Sequence, residues 1–158
     1  MHFFNPVHAM PLVEGAPALK TSAATVEACL AFAKKLGKVP VVVADRTGYI
    51  VNRLLVPYIV DGIRCLESGL GSVSDIDTAM INGANHPMGP LGLADFIGLD
   101  IVLHMSSLLQ DEYKEARFAP PPLLRRMVLA GYLGRKSGTG FYVYAESPAR
   151  PHDSLLKR

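Results

Sequence analysis

The sequence is short of cysteine, of net charge and of long apolar runs, and each shortage removes a class of protein. Its two cysteines, Cys29 and Cys65, have no paired spacing, so neither a disulfide framework nor a zinc site is suggested, and a reducing compartment is the default. Basic residues exceed acidic ones by two, 16 against 14. Arg125, Arg126, Arg135 and Lys136 form a local basic cluster, but no long basic run with interleaved aromatics occurs, which argues against nucleic acid as a partner. No apolar stretch approaches the roughly 18 residues of a membrane span, and the first residues lack the basic-then-apolar order of a signal peptide. A cytoplasmic protein without a membrane partner is expected. No internal repeat is found. A Gly-x-Gly-x-x-Gly turn is absent, and the loop from Gly134 to Gly140 lacks the spacing of the Gly-x-x-x-x-Gly-Lys-Ser/Thr nucleotide loop, so it reads as a turn that closes a domain.

What is present is enough for a core. With 158 residues, 49% of them hydrophobic, the chain can bury one ordinary core or two small linked ones. Met1 to Val13 holds two short apolar runs separated by Asn5-Pro6 and Pro11, which predicts strand, loop, strand. Thr21 or Ser22 can cap a helix with Val26, Cys29, Leu30, Ala33 and Leu36 on its apolar face, lysines near its end and Gly37 as its stop. Val39 to Ala44 reads as a short strand buried on both faces. After Gly48 the texture becomes helical. Tyr49 to Glu67 is apolar on more than one face, with Pro57 either kinking the helix or lying in its first turn. Ser74 with Asp77 suggests a capping box for the next helix. Helices follow around Leu91 to Ile97, opened by Pro90, from Asp100 to about Tyr113, and from Leu123 to Ala130, before an extended Phe141 to Tyr144. The architecture therefore divides near Gly48 into a fragment of α/β structure and an all-helical domain.

His2 and Glu14 stand at corresponding ends of the two early strands, so a strand–loop–strand return can bring imidazole and carboxylate within hydrogen-bond reach. A carboxylate on one ring nitrogen fixes the tautomer of an imidazole and stabilises the imidazolium formed when the other nitrogen takes a proton. That suits oxidation of an alcohol, in which a proton leaves as hydride departs. The bland alternative is a packed histidine and a solvated glutamate. His8, His86, His104 and His152 show no metal-ligand spacing, and no metal is expected.

A stronger signal is the ordered string His2-Phe3-Phe4-Asn5-Pro6, Leu12-Val13-Glu14, Gly48-Tyr49-Ile50-Val51-Asn52-Arg53, Asp75-Ile76-Asp77, Pro87-Met88-Gly89-Pro90 and Gly134-Arg135-Lys136-Ser137-Gly138-Thr139-Gly140-Phe141-Tyr142. Together these resemble the 3-hydroxyacyl-CoA dehydrogenase family, including its 3-hydroxybutyryl-CoA dehydrogenases, from His2 to about Tyr144. The resemblance implies a mainly α fold: a helical C-terminal, dimerising domain at 48–145, preceded at 1–47 by the last β-β-α-β piece of a Rossmann-type NAD-binding domain and followed at 146–158 by a flexible tail. It implies that His2 is the general acid–base group at the substrate's 3-oxygen, that Glu14 orients it, and that Asn52 lies by the substrate. Asn52 as a simple helix cap remains the alternative. NAD is the implied cofactor, an acyl-CoA the substrate, and fatty-acid β-oxidation the setting.

The sequence departs from the family where the nucleotide would sit. The strand, glycine turn and acidic residue that hold a dinucleotide are missing, as is a match for the family's serine near the substrate oxygen. The chain is therefore expected to be a C-terminal portion that does not bind NAD alone and is inactive without a nucleotide-binding half. It is expected to self-associate as a homodimer or by exchanging its N-terminal segment. Two competing readings are a non-enzymatic dimerisation or acyl-CoA-binding module and a dehydrogenase acting on a different hydroxy substrate. The His-Phe-Phe-Asn-Pro string argues against the latter.

Overall fold

The computed structural model describes residues 1–145, 147–152 and 155. The chain divides into two compact units, Met1–Val51 and Asn52–Arg158.

The first unit runs β1 (His2–Phe3), β2 (Leu12–Gly15), α1 (Ala23–Lys35) and β3 (Val39–Val42), the β-β-α-β order expected. β1 pairs antiparallel with β2, placing His2 opposite Glu14 and Phe3 opposite Val13. β2 pairs parallel with β3, and a parallel neighbour requires a crossover, which α1 supplies. Ser22 caps α1, its hydroxyl accepting from the Thr25 backbone N–H at 3.2 Å. Gly37, at φ +71°, takes the left-handed conformation that ends the helix. The β1–β2 loop is pinned from outside, because the Lys38 ammonium donates to the Val7 and Met10 carbonyls.

β3 differs from the strand buried on both faces that its composition suggests, since Val39 and Val42 are 59% and 55% exposed. It is also the edge strand of its sheet, as the directions of its amides show. Val39 N–H donates to Pro11 and Val43 N–H to Gly15, so residues 40 and 42 face the other edge, where Pro40 has no N–H to offer. A proline at that position suits an edge strand and blunts it against further pairing.

The second unit contains α2 (Val51–Glu67, whose first residue closes the first unit), α3 (Val73–Gly83), α4 (Pro90–Ile97), α5 (Leu99–Tyr113), α6 (Pro122–Leu129) and a hairpin of β4 (Tyr142–Val143) with β5 (Arg150–Pro151). On α2, Val56, Ile59, Val60, Ile63 and Leu66 are buried, at the spacing of one helical face, while Leu54 is 70% exposed. Ile59, Ile63 and Leu66 join Leu91, Leu99, Leu124 and Phe141 in the main core. Val56 and Val60 join Leu109 and Phe118 in a smaller cluster. Each such side chain contributes roughly 1.5–3 kcal/mol when fully buried. Pro57 lies seven residues into α2 and not in its first turn. No single helix among the described residues is long and apolar enough to cross a membrane.

The capping box of α3 falls two residues earlier than the sequence pattern suggests. Ser72 and Asp75 form it, and Asp77 is released for another task. Buried inside the unit, Asp77 accepts from the Leu91 and Gly92 amides at 2.8 Å each and from the Tyr142 hydroxyl at 2.9 Å. It thereby caps α4, whose own N-cap, Gly89, has no side chain to do so. Asp95 does the same for the end of the Gly-rich loop, accepting from the Phe141 and Tyr142 amides at 2.9 Å and the Tyr144 hydroxyl at 3.0 Å. Gly140 is required because any Cβ there would overlap the Asp95 carboxylate. The Gly134–Gly140 loop is thus a closing turn wrapped on one aspartate.

The segment expected as a loose tail is corrected in its described part. β5 pairs with β4, His152 N–H donates to the Phe141 carbonyl at 2.9 Å, and His152 Nδ1 lies 3.0 Å from the Gly140 carbonyl. The chain turns back because β4 has a free edge and Pro148 and Pro151 favour extended backbone. The remainder of 146–158 lies outside the described residues.

Candidate active site

The antiparallel register that sets His2 across from Glu14 is decided by the alternation of β1 and β2, and it puts both side chains on one face. His2 Nδ1 lies 2.8 Å from Glu14 Oε2, with the Glu14 side chain fully buried and His2 32% exposed. An ionised carboxylate only accepts hydrogen bonds, so Nδ1 carries the proton and donates, which leaves Nε2 as the ring nitrogen available for proton transfer.

The other carboxylate oxygen is also engaged. Glu14 Oε1 accepts from the Ile50 and Val51 backbone amides, both at 3.1 Å. These amides sit where the chain enters α2, among the donors a helix start leaves without intrahelical partners, and they favour negative charge. A buried glutamate is costly unless its oxygens are satisfied, and here both are. The turn that presents the two amides is made by Gly48 at φ +83° and Tyr49 at φ +43°, with Tyr49 N–H donating to the Arg46 carbonyl at 3.0 Å. His2 is flanked by the Phe4 ring, 4.6 Å between centroids, and the Tyr49 ring, 5.5 Å.

Asn52 belongs to the second unit and lies one residue inside α2, half-buried. It is therefore not the cap of that helix, which removes the bland alternative held for it; the opening amides go to Glu14 instead. Of the remaining histidines, His8 and His104 are exposed, His86 Nδ1 lies 2.9 Å from the Tyr58 hydroxyl, and His152 is held by Gly140. Burial, with the Asp77 charge adding, pushes the Tyr58 hydroxyl above the usual tyrosine value. No group of three His, Cys, Asp or Glu among the described residues is placed to hold a metal ion. Periodicity did not single out Phe4 or Tyr49. The available signal was an aromatic residue directly after a glycine at a helix entrance, a position that demands unusual backbone.

A dinucleotide needs a short glycine turn between a strand and a helix, with free amides at the helix start for the pyrophosphate. The connection from β2 to α1 runs through Gly15, Ala16 and Pro17, and the start of α1 is occupied by the Ser22 hydroxyl. These residues do not fit the pyrophosphate of NAD.

Two family models between them match most of the chain. Residues 48–144 match the family model described as the 3-hydroxyacyl-CoA dehydrogenase C-terminal domain, and residues 1–46 match that of the NAD binding domain of the same enzymes. A 3-hydroxybutyryl-CoA dehydrogenase of Mycobacterium tuberculosis is 49% identical over 145 residues, covering 91% of this chain and 51% of the relative. The mitochondrial hydroxyacyl-coenzyme A dehydrogenase of Sus scrofa is 44% identical, covering 91% and 46%. The crystal structure of M. tuberculosis FadB2 superposes with a TM-score of 0.90 at 50% identity, covering 91% of this chain and 51% of that one. That of (S)-3-hydroxybutyryl-CoA dehydrogenase from Ralstonia eutropha gives 0.89 at 49%, covering 92% and 52%. The chain thus spans about half the length of the relatives it matches.

Proposed function

Because the chain belongs to the 3-hydroxyacyl-CoA dehydrogenase family, we propose that it is the catalytic and dimerising C-terminal part of an NAD-dependent L-3-hydroxyacyl-CoA dehydrogenase. The reaction is the reversible oxidation of a 3-hydroxyacyl-CoA to the 3-ketoacyl-CoA. The observation that carries the reading is the buried Glu14 carboxylate on His2 Nδ1 at 2.8 Å.

His2 Nε2 takes the proton from the substrate's 3-hydroxyl, and Glu14 stabilises the imidazolium that results. Because Oε1 is anchored on two amides, the carboxylate does not swing to follow the ring, so the imidazole keeps one orientation through the proton transfer. In the reverse direction the imidazolium returns the proton to the 3-keto oxygen. In this family the hydride acceptor is NAD; the connection from β2 to α1 does not fit its pyrophosphate, and only the proton's path is derived from the residues of this chain. Asn52 is proposed as the residue beside the substrate oxygen, which its amide can bond as donor or acceptor. Self-association as a homodimer is part of the same proposal, supported by Leu54, Leu108 and Leu129, which are 70%, 47% and 87% exposed in the helical unit. The cytoplasmic placement expected from the sequence is retained with it.

The test joins this chain to the nucleotide-binding half of the M. tuberculosis relative and follows NADH with 3-hydroxybutyryl-CoA as substrate. Turnover that disappears in His2→Ala is the expected result. Turnover retained in that variant removes His2 from the reaction, and acyl-CoA binding without any turnover in the joined protein favours a binding module.

A further inference from the structure

Tyr49 places its ring beside that of His2 and directly precedes the two amides that bind Glu14, and it does so in a conformation an aromatic residue rarely adopts. Its φ of +43° lies in the left-handed region, where a residue with a Cβ is strained. Such strain persists only where the surroundings hold it. Here two things do. The Tyr49 N–H is bonded to the Arg46 carbonyl at 3.0 Å, and the two amides that follow it both converge on Glu14 Oε1 at 3.1 Å. Were Tyr49 in an ordinary extended conformation, the Ile50 and Val51 amides would point elsewhere and the buried carboxylate would lose two of its three donors. Its ring, meanwhile, lies 5.5 Å from the His2 ring and inclined to it by 48°, while Phe4 stands 4.6 Å away at 55°. The imidazole is therefore bounded by two aromatic rings, while its Nδ1 is held by Glu14.

We infer that Tyr49 is a positioning residue for the base: its left-handed backbone aims two amides at Glu14, and its ring, with Phe4, limits the rotation of His2. This rests on the reading of His2 as the acid–base group, but the orientation it describes is measurable without turnover. The backbone and ring roles predict different responses to substitution. Glycine adopts the left-handed conformation freely and removes only the ring. Phenylalanine keeps the ring and serves as the rescue. Valine, branched at Cβ, resists φ near +43° and attacks the backbone role.

The experiment is NMR on the whole chain with 15N- and 13C-labelled histidine. In the unsubstituted protein, proton–proton NOEs are expected between the His2 and Tyr49 rings. Tyr49→Phe is expected to leave the His2 ring shifts and the Nδ1–H tautomer unchanged. Tyr49→Gly is expected to keep the exchange protection of the Ile50 and Val51 amides while the His2 ring protons move towards unstructured-peptide values. Tyr49→Val is expected to lose protection at those two amides. Absence of the His2–Tyr49 NOEs in the unsubstituted chain overturns the inference whether or not any variant folds. So does a Tyr49→Gly protein with unaltered His2 ring shifts. Neither result bears on turnover of the joined dehydrogenase, and a His2→Ala dehydrogenase that still turns over leaves the NMR result standing, so failure of the orientation and failure of the catalytic reading are told apart.

Discussion

Replacing Glu14 by glutamine keeps the shape of the side chain while it removes the charge and reverses the hydrogen-bond role facing His2. The two side chains are nearly isosteric, and the fully buried position leaves little room for a different pose. Ile50 and Val51 present N–H donors at 3.1 Å to one oxygen of Glu14, so the glutamine must place its carbonyl there. Its NH2 group then faces His2 Nδ1, which must accept where it formerly donated. The neutral imidazole is forced into the opposite tautomer, with the proton on Nε2, and the nitrogen that should take the substrate's proton is already protonated. Stability is expected to fall by about 1–3 kcal/mol, as charge-assisted hydrogen bonds become neutral ones while no donor is orphaned. In the joined dehydrogenase, an inverted tautomer of this kind is expected to lower turnover on the order of 10⁴-fold. The direct assay is long-range 1H–15N correlation of the histidine ring in the isolated chain, which distinguishes the two tautomers by their nitrogen shifts. A wild-type His2 already protonated at Nε2, or an unchanged tautomer in Glu14→Gln, would refute the reasoning whatever the activity.

Other consequences concern the helical unit and the assembly. Asp95→Ala orphans the buried Phe141 amide and the Tyr142 amide, and urea unfolding should show a loss of about 2–6 kcal/mol at ~1–3 kcal/mol per donor. Gly140→Ala, whose Cβ would overlap the same carboxylate, should destabilise in the same assay, while Gly69→Ala, with open space around it but φ +74°, should show only the smaller strain of its backbone. The pH dependence of stability carries two opposite signs. Burial holds the Asp95 carboxyl above the usual carboxylate range, so its contribution is fully present below the unfolded value and is lost as pH rises through the raised folded one. Hydrogen bonds from Ser72 hold Asp75 below that range, so its contribution is present above the unfolded value and is lost as pH falls through the lowered folded one. Unfolding followed across the acid range in Asp95→Asn and Asp75→Asn should remove one slope each, and the same slope in both variants would contradict this assignment. Calorimetry with NAD is expected to give no heat of binding at micromolar concentrations of this chain, and light scattering is expected to show an oligomer; a dilution-resistant monomer would sink the dimer proposal.

Much of this protein is local, and what is local could be read from residue order. Ser22 and Gly37 bracket α1, and Pro90 opens α4, because capping involves residues three or four apart, whereas α2 reads as apolar on more than one face and buries one. The facing of His2 and Glu14 was also within reach, since a strand that returns through a short loop has few registers open to it. Tertiary structure alone decided the rest. Whether Asp75 or Asp77 completes the box at α3 depends on the Leu91 and Gly92 amides that compete for Asp77. Asn52 could pass for a cap until Glu14, 36 residues away along the chain from Ile50, was seen to take the amides at that helix entrance. β3 reads as a buried run until it is seen to form the edge of its sheet, with Pro40 facing the open side, and residues 150–151 read as tail until β4 offers them a partner. In each case the deciding contact is a hydrogen bond between groups far apart in sequence, and a buried donor or acceptor takes whichever partner the fold brings to it, a choice that no neighbour along the chain records.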